Sequence, residues 1–281
     1  MPSNLDTIRD QQRETWDRFS AGWRKWDGMV LGWLAPFGEA MIRQVDPQED
    51  FRILDIASGT GEPGLTAAAL VPKGAVTVTD LSERMLAVAA ENAARRGLRN
   101  FETRACDAGA LPFADESFDA VLCRFGFMFV PDVGSAAREC ARVAKRGARV
   151  SAAVWSAPEK NPWAMTILGT IARHGEMPAP PPDSPGLFRC SSEGVMRAAF
   201  VEAGLYDIRE EEVSSLMVHE SPEQYWQFMT EIAAPVAAAL AKADEAARER
   251  IRVDVLDLAR RSMRDGTVRM LSTAIVIVGT R

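Results

Sequence analysis

A basic surplus is missing from this chain. Its 281 residues carry 33 Lys and Arg against 39 Asp and Glu, a formal net charge of −6 and a sequence pI of about 5.2. That balance argues against a nucleic-acid partner, which needs a basic face for its phosphates. Histidine is scarce: His174 and His219 are the two present, too few for a His-rich metal centre, and no metal is expected. The four cysteines, Cys106, Cys123, Cys140 and Cys190, form no C-x-x-C pair and no ligand grouping. They read as free thiols in a reducing cytoplasm. No apolar run reaches membrane-spanning length, and the longest, Met270 to Gly279, is short and β-branched, as in a buried strand. The opening residues MPSNLDTIRDQQRETW lack the apolar stretch of a signal peptide, so a cytoplasmic protein is expected.

What is present is a core. Hydrophobic residues make up 47% of the chain and charged residues 26%, ordinary for a globular α/β protein. Through the middle, strands and helices alternate. Residues 51–57 form an apolar strand, followed by a glycine-rich loop and a helix over 62–70 with Pro63 near its first position. Residues 75–79 form a second strand, closed by Asp80. Ser82 caps a helix over 83–96 that stops at Gly97. Further strands follow at 101–105, 118–124 and 148–155, with a helix over 131–145. Five βα steps in series predict a parallel sheet covered by helices on both faces.

Beyond Trp155 the pattern loosens. A short apolar helix leads into PAPPPDSPG, read as a loop. A helix over 191–204, a sixth strand over 206–213, two or three helices within 222–264 and the last strand complete the chain. The segment before the core, residues 5–45, is helical and rich in tryptophan, with Trp16, Phe19, Trp23 and Trp26 on one helical stripe.

The stretch ILDIASGTGEPG, residues 53–64, carries the chemistry. Its last six residues spell G-x-G-x-x-G, the dinucleotide fingerprint. Three details bear on which nucleotide it suits. Asp55 lies inside the strand, where a dinucleotide site is normally apolar, and fits a loop organised around a cationic cofactor bearing an amino acid. Pro63 removes one of the backbone N–H groups on which a pyrophosphate depends. Asp80 ends the second strand, placed for ribose hydroxyls of either cofactor. Asp107, after the third strand, can accept from an adenine amino group. Arg124 and Phe125 end the fourth strand. Ligands of such sheets sit outside these carboxyl ends.

These segments, ILDIASGTG, VTVTDLSERML, ACDAGALPFADESFDAVLCRFGFMFVPD and the final AIVIVGTR, resemble class I S-adenosylmethionine (SAM)-dependent methyltransferases, in particular the ubiquinone/menaquinone C-methyltransferase-like small-molecule enzymes. The match runs collinearly from about 53 to 155. It implies a Rossmann-like, doubly wound, mostly parallel sheet of seven strands with an antiparallel C-terminal strand and helical cap insertions. A helical cap over 1–45 would precede a core over 46–281, with insertions at about 156–190 and 215–266 forming a substrate lid. The cofactor implied is SAM. The methionine and ribose would lie along Ala57, Ser58, Gly59 and Gly61 behind Asp55, and the ribose hydroxyls on Asp80. Leu81 and Met85 would flank the adenine, with Asp107 at its amino group and Ala108 beside it. Arg124 and Phe125 would approach the methionine and its methyl group. Ala57 departs from the glycine more usual in the family, which requires the turn to avoid a left-handed conformation there.

Methyl transfer from a sulfonium is an in-line displacement that needs alignment and a dry site. No catalytic base is evident. Phe19, Trp23, Phe125, Trp155, Trp163 and Phe188 are candidate walls of an acceptor pocket, and His174 a candidate that could face it. Aromatic walls favour a small aromatic or hydrophobic acceptor, or a cation held against ring faces. Two other readings stay open: an NAD(P)-dependent oxidoreductase, and a SAM-binding partner protein without turnover. Monomer and homodimer are equally compatible with the sequence.

Overall fold

The computed structural model describes residues 4–175 and 184–281. Most of the proline run PAPPPDSPG lies outside them. Two helices, α1 (Asn4–Lys25) and α2 (Asp27–Val45), precede the first strand. The strands are β1 (Arg52–Asp55), β2 (Ala75–Asp80), β3 (Phe101–Ala105), β4 (Phe118–Arg124), β5 (Ala144–Trp155), β6 (Tyr206–His219), β7 (Met263–Arg264) and β8 (Thr267–Thr280). Between them run α3 (Gly64–Leu70), α4 (Glu83–Arg95), α5 (Val133–Val143), α6 (Pro162–Arg173), α7 (Val195–Glu202), α8 (Pro222–Ile232), α9 (Ala234–Lys242) and α10 (Glu245–Arg261).

Seven strands lie in the order β3-β2-β1-β4-β5-β8-β6, and the two-residue β7 folds back on β8. The pairings from β3 to β5 are parallel. Those on either side of β8 are antiparallel. The order reverses between β1 and β4, so β1 and β4 open a crevice at their carboxyl ends. This is the doubly wound, mostly parallel sheet with an antiparallel last strand that the sequence implied. That last strand lies inside the sheet, and β6 forms the edge.

Ser82 does cap α4, accepting the Met85 N–H at 3.1 Å. Elsewhere boundaries differ. The strand expected at 206–213 runs on to His219, so the helices before the last strand occupy 222–261 and not the whole of 215–266. The two helices of the N-terminal 45 residues pack differently. In α2, Val30, Trp33, Leu34, Phe37, Met41 and Val45 recur at helical spacing and are buried. The helix packs on β5, β6 and β8 and belongs to the core. In α1 only Ser20 is buried, and the helix lies across α4 and α8.

Candidate active site

The carboxyl ends of β1, β2 and β4 meet at one loop. Asp55 closes β1 with its side chain wholly buried, and Oδ2 accepts the Gly64 N–H at 2.8 Å. Burial pushes its carboxyl up to about 8, against the pull of that N–H and of Arg124. Its other oxygen, Oδ1, is enclosed and has no hydrogen-bond partner among the described residues. A Cβ on Gly64 would lie 2.6 Å from Val78 Cγ1 and 3.0 Å from Asp55 Oδ2. The third glycine of G-x-G-x-x-G therefore lets α3 press against β2 and the Asp55 carboxyl.

The loop is strained where the sequence predicted it would not be. Ala57 has φ 52°, in the left-handed region it was expected to avoid. Phe125, just after β4 across the crevice, has φ 60°. Gly126 makes this possible, because a Cβ there would stand 2.6 Å from Ala57 Cβ and 2.7 Å from Cys123 Sγ. Non-glycine residues held left-handed cluster where the surrounding structure over-determines them, often beside a ligand site.

Asp80 ties the loop to the next strand end. Its Oδ2 accepts the Gly59 N–H at 3.0 Å and its Oδ1 the Ser82 N–H at 2.9 Å. Burial raises its carboxyl to about 6, with those N–H groups pulling the other way. Asp107 Oδ1 accepts the Gly109 N–H at 2.8 Å, and Oδ2 meets Arg9 of α1 at 3.4 Å. Asp17, also on α1, accepts from Ser82 Oγ at 2.6 Å. Thus α1 touches the rim of the crevice through two polar contacts. Arg124 donates to the Leu34 carbonyl at 3.2 Å, and Glu62 and Asp55 favour its charge against the cost of burial.

One cavity of about 460 Å³ joins these groups. Ala57, Ser58, Gly59, Asp80, Leu81, Met85, Asp107, Ala108, Arg124 and Phe125 line one part of it. Asp55 and Gly61 stand behind the loop. Phe19, Trp23, Trp155 and Trp163 line the other part, with Trp16, Trp33 and Phe129, which the sequence did not single out as walls. The Phe125 ring stacks on Trp155 at 4.0 Å, and Trp155 stacks on Trp33 at 5.6 Å. Trp16 meets Phe129 edge-on at 5.1 Å. Leu187 and an alanine face of α9 close the remaining side.

Two candidates do not reach the cavity. His174 follows α6 at the end away from Trp163, ~16 Å along a helix of that length. There its Nε2 lies 2.9 Å from Asp254 Oδ2 of α10. Phe188 turns into the protein and packs on the core, leaving its neighbour Leu187 at the wall. His219 is also absent from the wall. It is buried beside Tyr225 and Phe228, and burial lowers its pKa to about 4, so it stays neutral.

Residues 53–147 match a family model described as a methyltransferase domain. The match marks a methyltransferase domain within the chain. This methyltransferase domain is similar to the ubiquinone/menaquinone biosynthesis C-methyltransferase UbiE of Sinorhizobium fredii, at 41% identity over 128 residues. Those residues are 44% of this chain and 50% of that protein, so the chain spans about half the length of the curated relatives it matches. Two solved structures share the fold. The YcgJ protein of Bacillus subtilis has a TM-score of 0.56 at 24% identity, covering 87% of this chain and 97% of that one. Phosphoethanolamine N-methyltransferase 2 of Haemonchus contortus, solved with S-adenosyl-L-methionine, has a TM-score of 0.61 at 18% identity, covering 100% and 61%.

Proposed function

We propose that this chain transfers a methyl group from SAM to a small, apolar, flat acceptor. The observation that carries the proposal is the continuity of one cavity. It runs from the loop held by Asp80, past Arg124 and Phe125, to a chamber of indole and phenyl rings. Its volume lies in the range of small-molecule sites.

The residues present fit the cofactor. The Asp80 carboxylate offers lone pairs to ribose hydroxyls. Leu81, Met85 and Ala108 give the adenine an apolar slot with Asp107 at its edge. Arg124 faces the part of the cavity where the methionine carboxylate belongs. SAM supplies an electrophilic methyl on a sulfonium. The protein's part is to hold the acceptor against the rings of Phe125, Trp155 and Trp33 and to keep water out. Helix α1, residues 184–190 and the α8–α9 segment act as the lid over this chamber.

The acceptor brings its own nucleophile. The described lining contains no histidine, lysine or tyrosine. Its carboxylates are engaged: Glu62 with Arg96 and Thr66, Asp80 with Gly59 and Ser82, and Asp107 with Gly109. Burial pushes the Cys106 thiol up to about 11. A free amine, a thiolate or an electron-rich carbon attacks with little further help and passes its proton, where it has one, to water or buffer, whereas an alcohol or phenol oxygen needs a base to attack.

The start of α3 argues against a dinucleotide. A pyrophosphate would need free N–H groups there. The Gly64 N–H is already taken by Asp55, and the Thr66 N–H donates to Glu62 at 3.2 Å. Two acidic side chains stand where the phosphates would have to sit. Titration calorimetry with SAM, S-adenosylhomocysteine and NAD separates the readings. Binding of SAM and its demethylated product, but not NAD, is expected; NAD binding without SAM would sink the proposal. An acceptor screen with methyl-labelled SAM then tests turnover.

A further inference from the structure

Three indoles are buried at the acceptor end of the cavity, and they differ in one respect. Trp33 Nε1 donates to Ser272 Oγ at 2.8 Å, and Trp163 Nε1 donates to Asn161 Oδ1 at 2.9 Å. Trp155 is only 3% exposed, yet its indole N–H has no hydrogen-bond partner among the described residues. Its two faces are covered, by Phe125 at 4.0 Å and 16° and by Trp33 at 5.6 Å and 15°. A buried indole normally finds a partner for its N–H, because an unpaired donor is costly.

The wholly enclosed side-chain atoms without a partner belong to Asp55, Ser58 and His219 alone among the described residues. The Trp155 nitrogen is not one of them, so it keeps a small accessible surface. Trp155 lines the cavity, and that is where an otherwise buried ring has surface to show. Trp163 tilts against the same ring at 4.9 Å and 51°. The stack on Phe125, itself fixed by its left-handed backbone, leaves the indole little freedom to turn away.

We propose that the Trp155 indole N–H selects acceptors that carry a hydrogen-bond-accepting oxygen on or beside their flat apolar skeleton. This deepens the methyl-transfer reading and rests on it. Trp155 is a specificity-determining residue here: its N–H grips the acceptor's oxygen, which fixes how the ring slides along Phe125. An acceptor without the oxygen leaves the N–H dry and unpaired, and is discriminated against for that reason.

The test uses the full chain loaded with S-adenosylhomocysteine and two probes of nearly equal shape, 1-indanone and indane, which differ by one carbonyl oxygen. The wild type is expected to bind 1-indanone about tenfold more tightly than indane. Trp155→Phe is expected to bind S-adenosylhomocysteine normally and to bind the two probes within about twofold of each other. In the nitrogen-15 spectrum of the wild type, 1-indanone should move one indole N–H proton downfield and indane should not. Should the variant not bind S-adenosylhomocysteine, this spectrum decides alone. Retention of the preference in Trp155→Phe, or no binding or downfield shift with 1-indanone, overturns the inference. If the wild type does not bind S-adenosylhomocysteine at all, the methyltransferase reading falls with it.

Discussion

At the scale of single residues, the site is held by backbone that few side chains tolerate. Ala57 and Phe125 face each other left-handed across the crevice, and Gly126 fills the gap between them. Left-handed alanine costs roughly 1–2 kcal/mol, and glycine there costs nothing sterically but loses about 0.5–1 kcal/mol of chain entropy. Ala57→Gly is therefore expected to leave stability unchanged or raise it by up to about 1 kcal/mol, read from the urea midpoint. A loss larger than that would show that the turn carries no strain. Asp55 gives a pH signature of definite sign. Its folded carboxyl titrates at about 8, above the ordinary carboxylate value of about 4. The folded state therefore holds a proton that the unfolded chain releases between these values. The contribution of Asp55 to stability is full below about pH 4 and falls as the pH rises to about 8, at up to about 1.4 kcal/mol per unit. Asn cannot ionise, so Asp55→Asn should flatten that slope in chemical unfolding measured across the same window.

At the scale of elements, the two N-terminal helices divide their work. α2 buries a continuous apolar stripe, whereas α1 rests on its aromatic side and on polar contacts such as Arg9–Asp107 and Asp17–Ser82. Few buried contacts imply easy local opening. Amide exchange in α1 should be faster than in α2 and should slow when S-adenosylhomocysteine binds. Equal protection of both helices without ligand would count against α1 as a lid. The elements also show what the sequence makes legible. β1, β2 and β4 are apolar runs between clear caps and turns, and they were readable because burial on both faces leaves no other pattern. β6 extends past Val213 over Ser214 to His219, where Leu216 and Val218 are exposed on the edge, so that pairing to β8 and not a run of buried residues makes the strand there. The β7–β8 hairpin carried a signal that went unused. Asp265-Gly266, with φ of 51° and 77°, is the D-G turn that primed hairpins demand. Among site residues, those at strand ends could be placed from order alone. His174 and Phe188 could not, because their direction depends on how α6 and the residues after it pack, which has no local period.

At the scale of the whole molecule, β8 ties the central sheet to the chamber of aromatic rings. One part pairs with β5 in the central sheet. Further along, Ser272 receives Trp33, and the Thr273 N–H donates to Asn161, which in turn holds Trp163. The chamber of rings is thus built from distant parts of the chain, on a strand that is also sheet core. Five of the seven tryptophans, Trp16, Trp23, Trp33, Trp155 and Trp163, line the same cavity. The optical consequence is simple. Most of the chromophores that dominate the intrinsic emission of this protein sit in one room, and Trp26 and Trp226 supply a background. An aromatic acceptor that enters should quench much of that emission, saturating with its own affinity and needing no dye. A ligand that binds by calorimetry and leaves the emission unmoved would have to be sitting somewhere else.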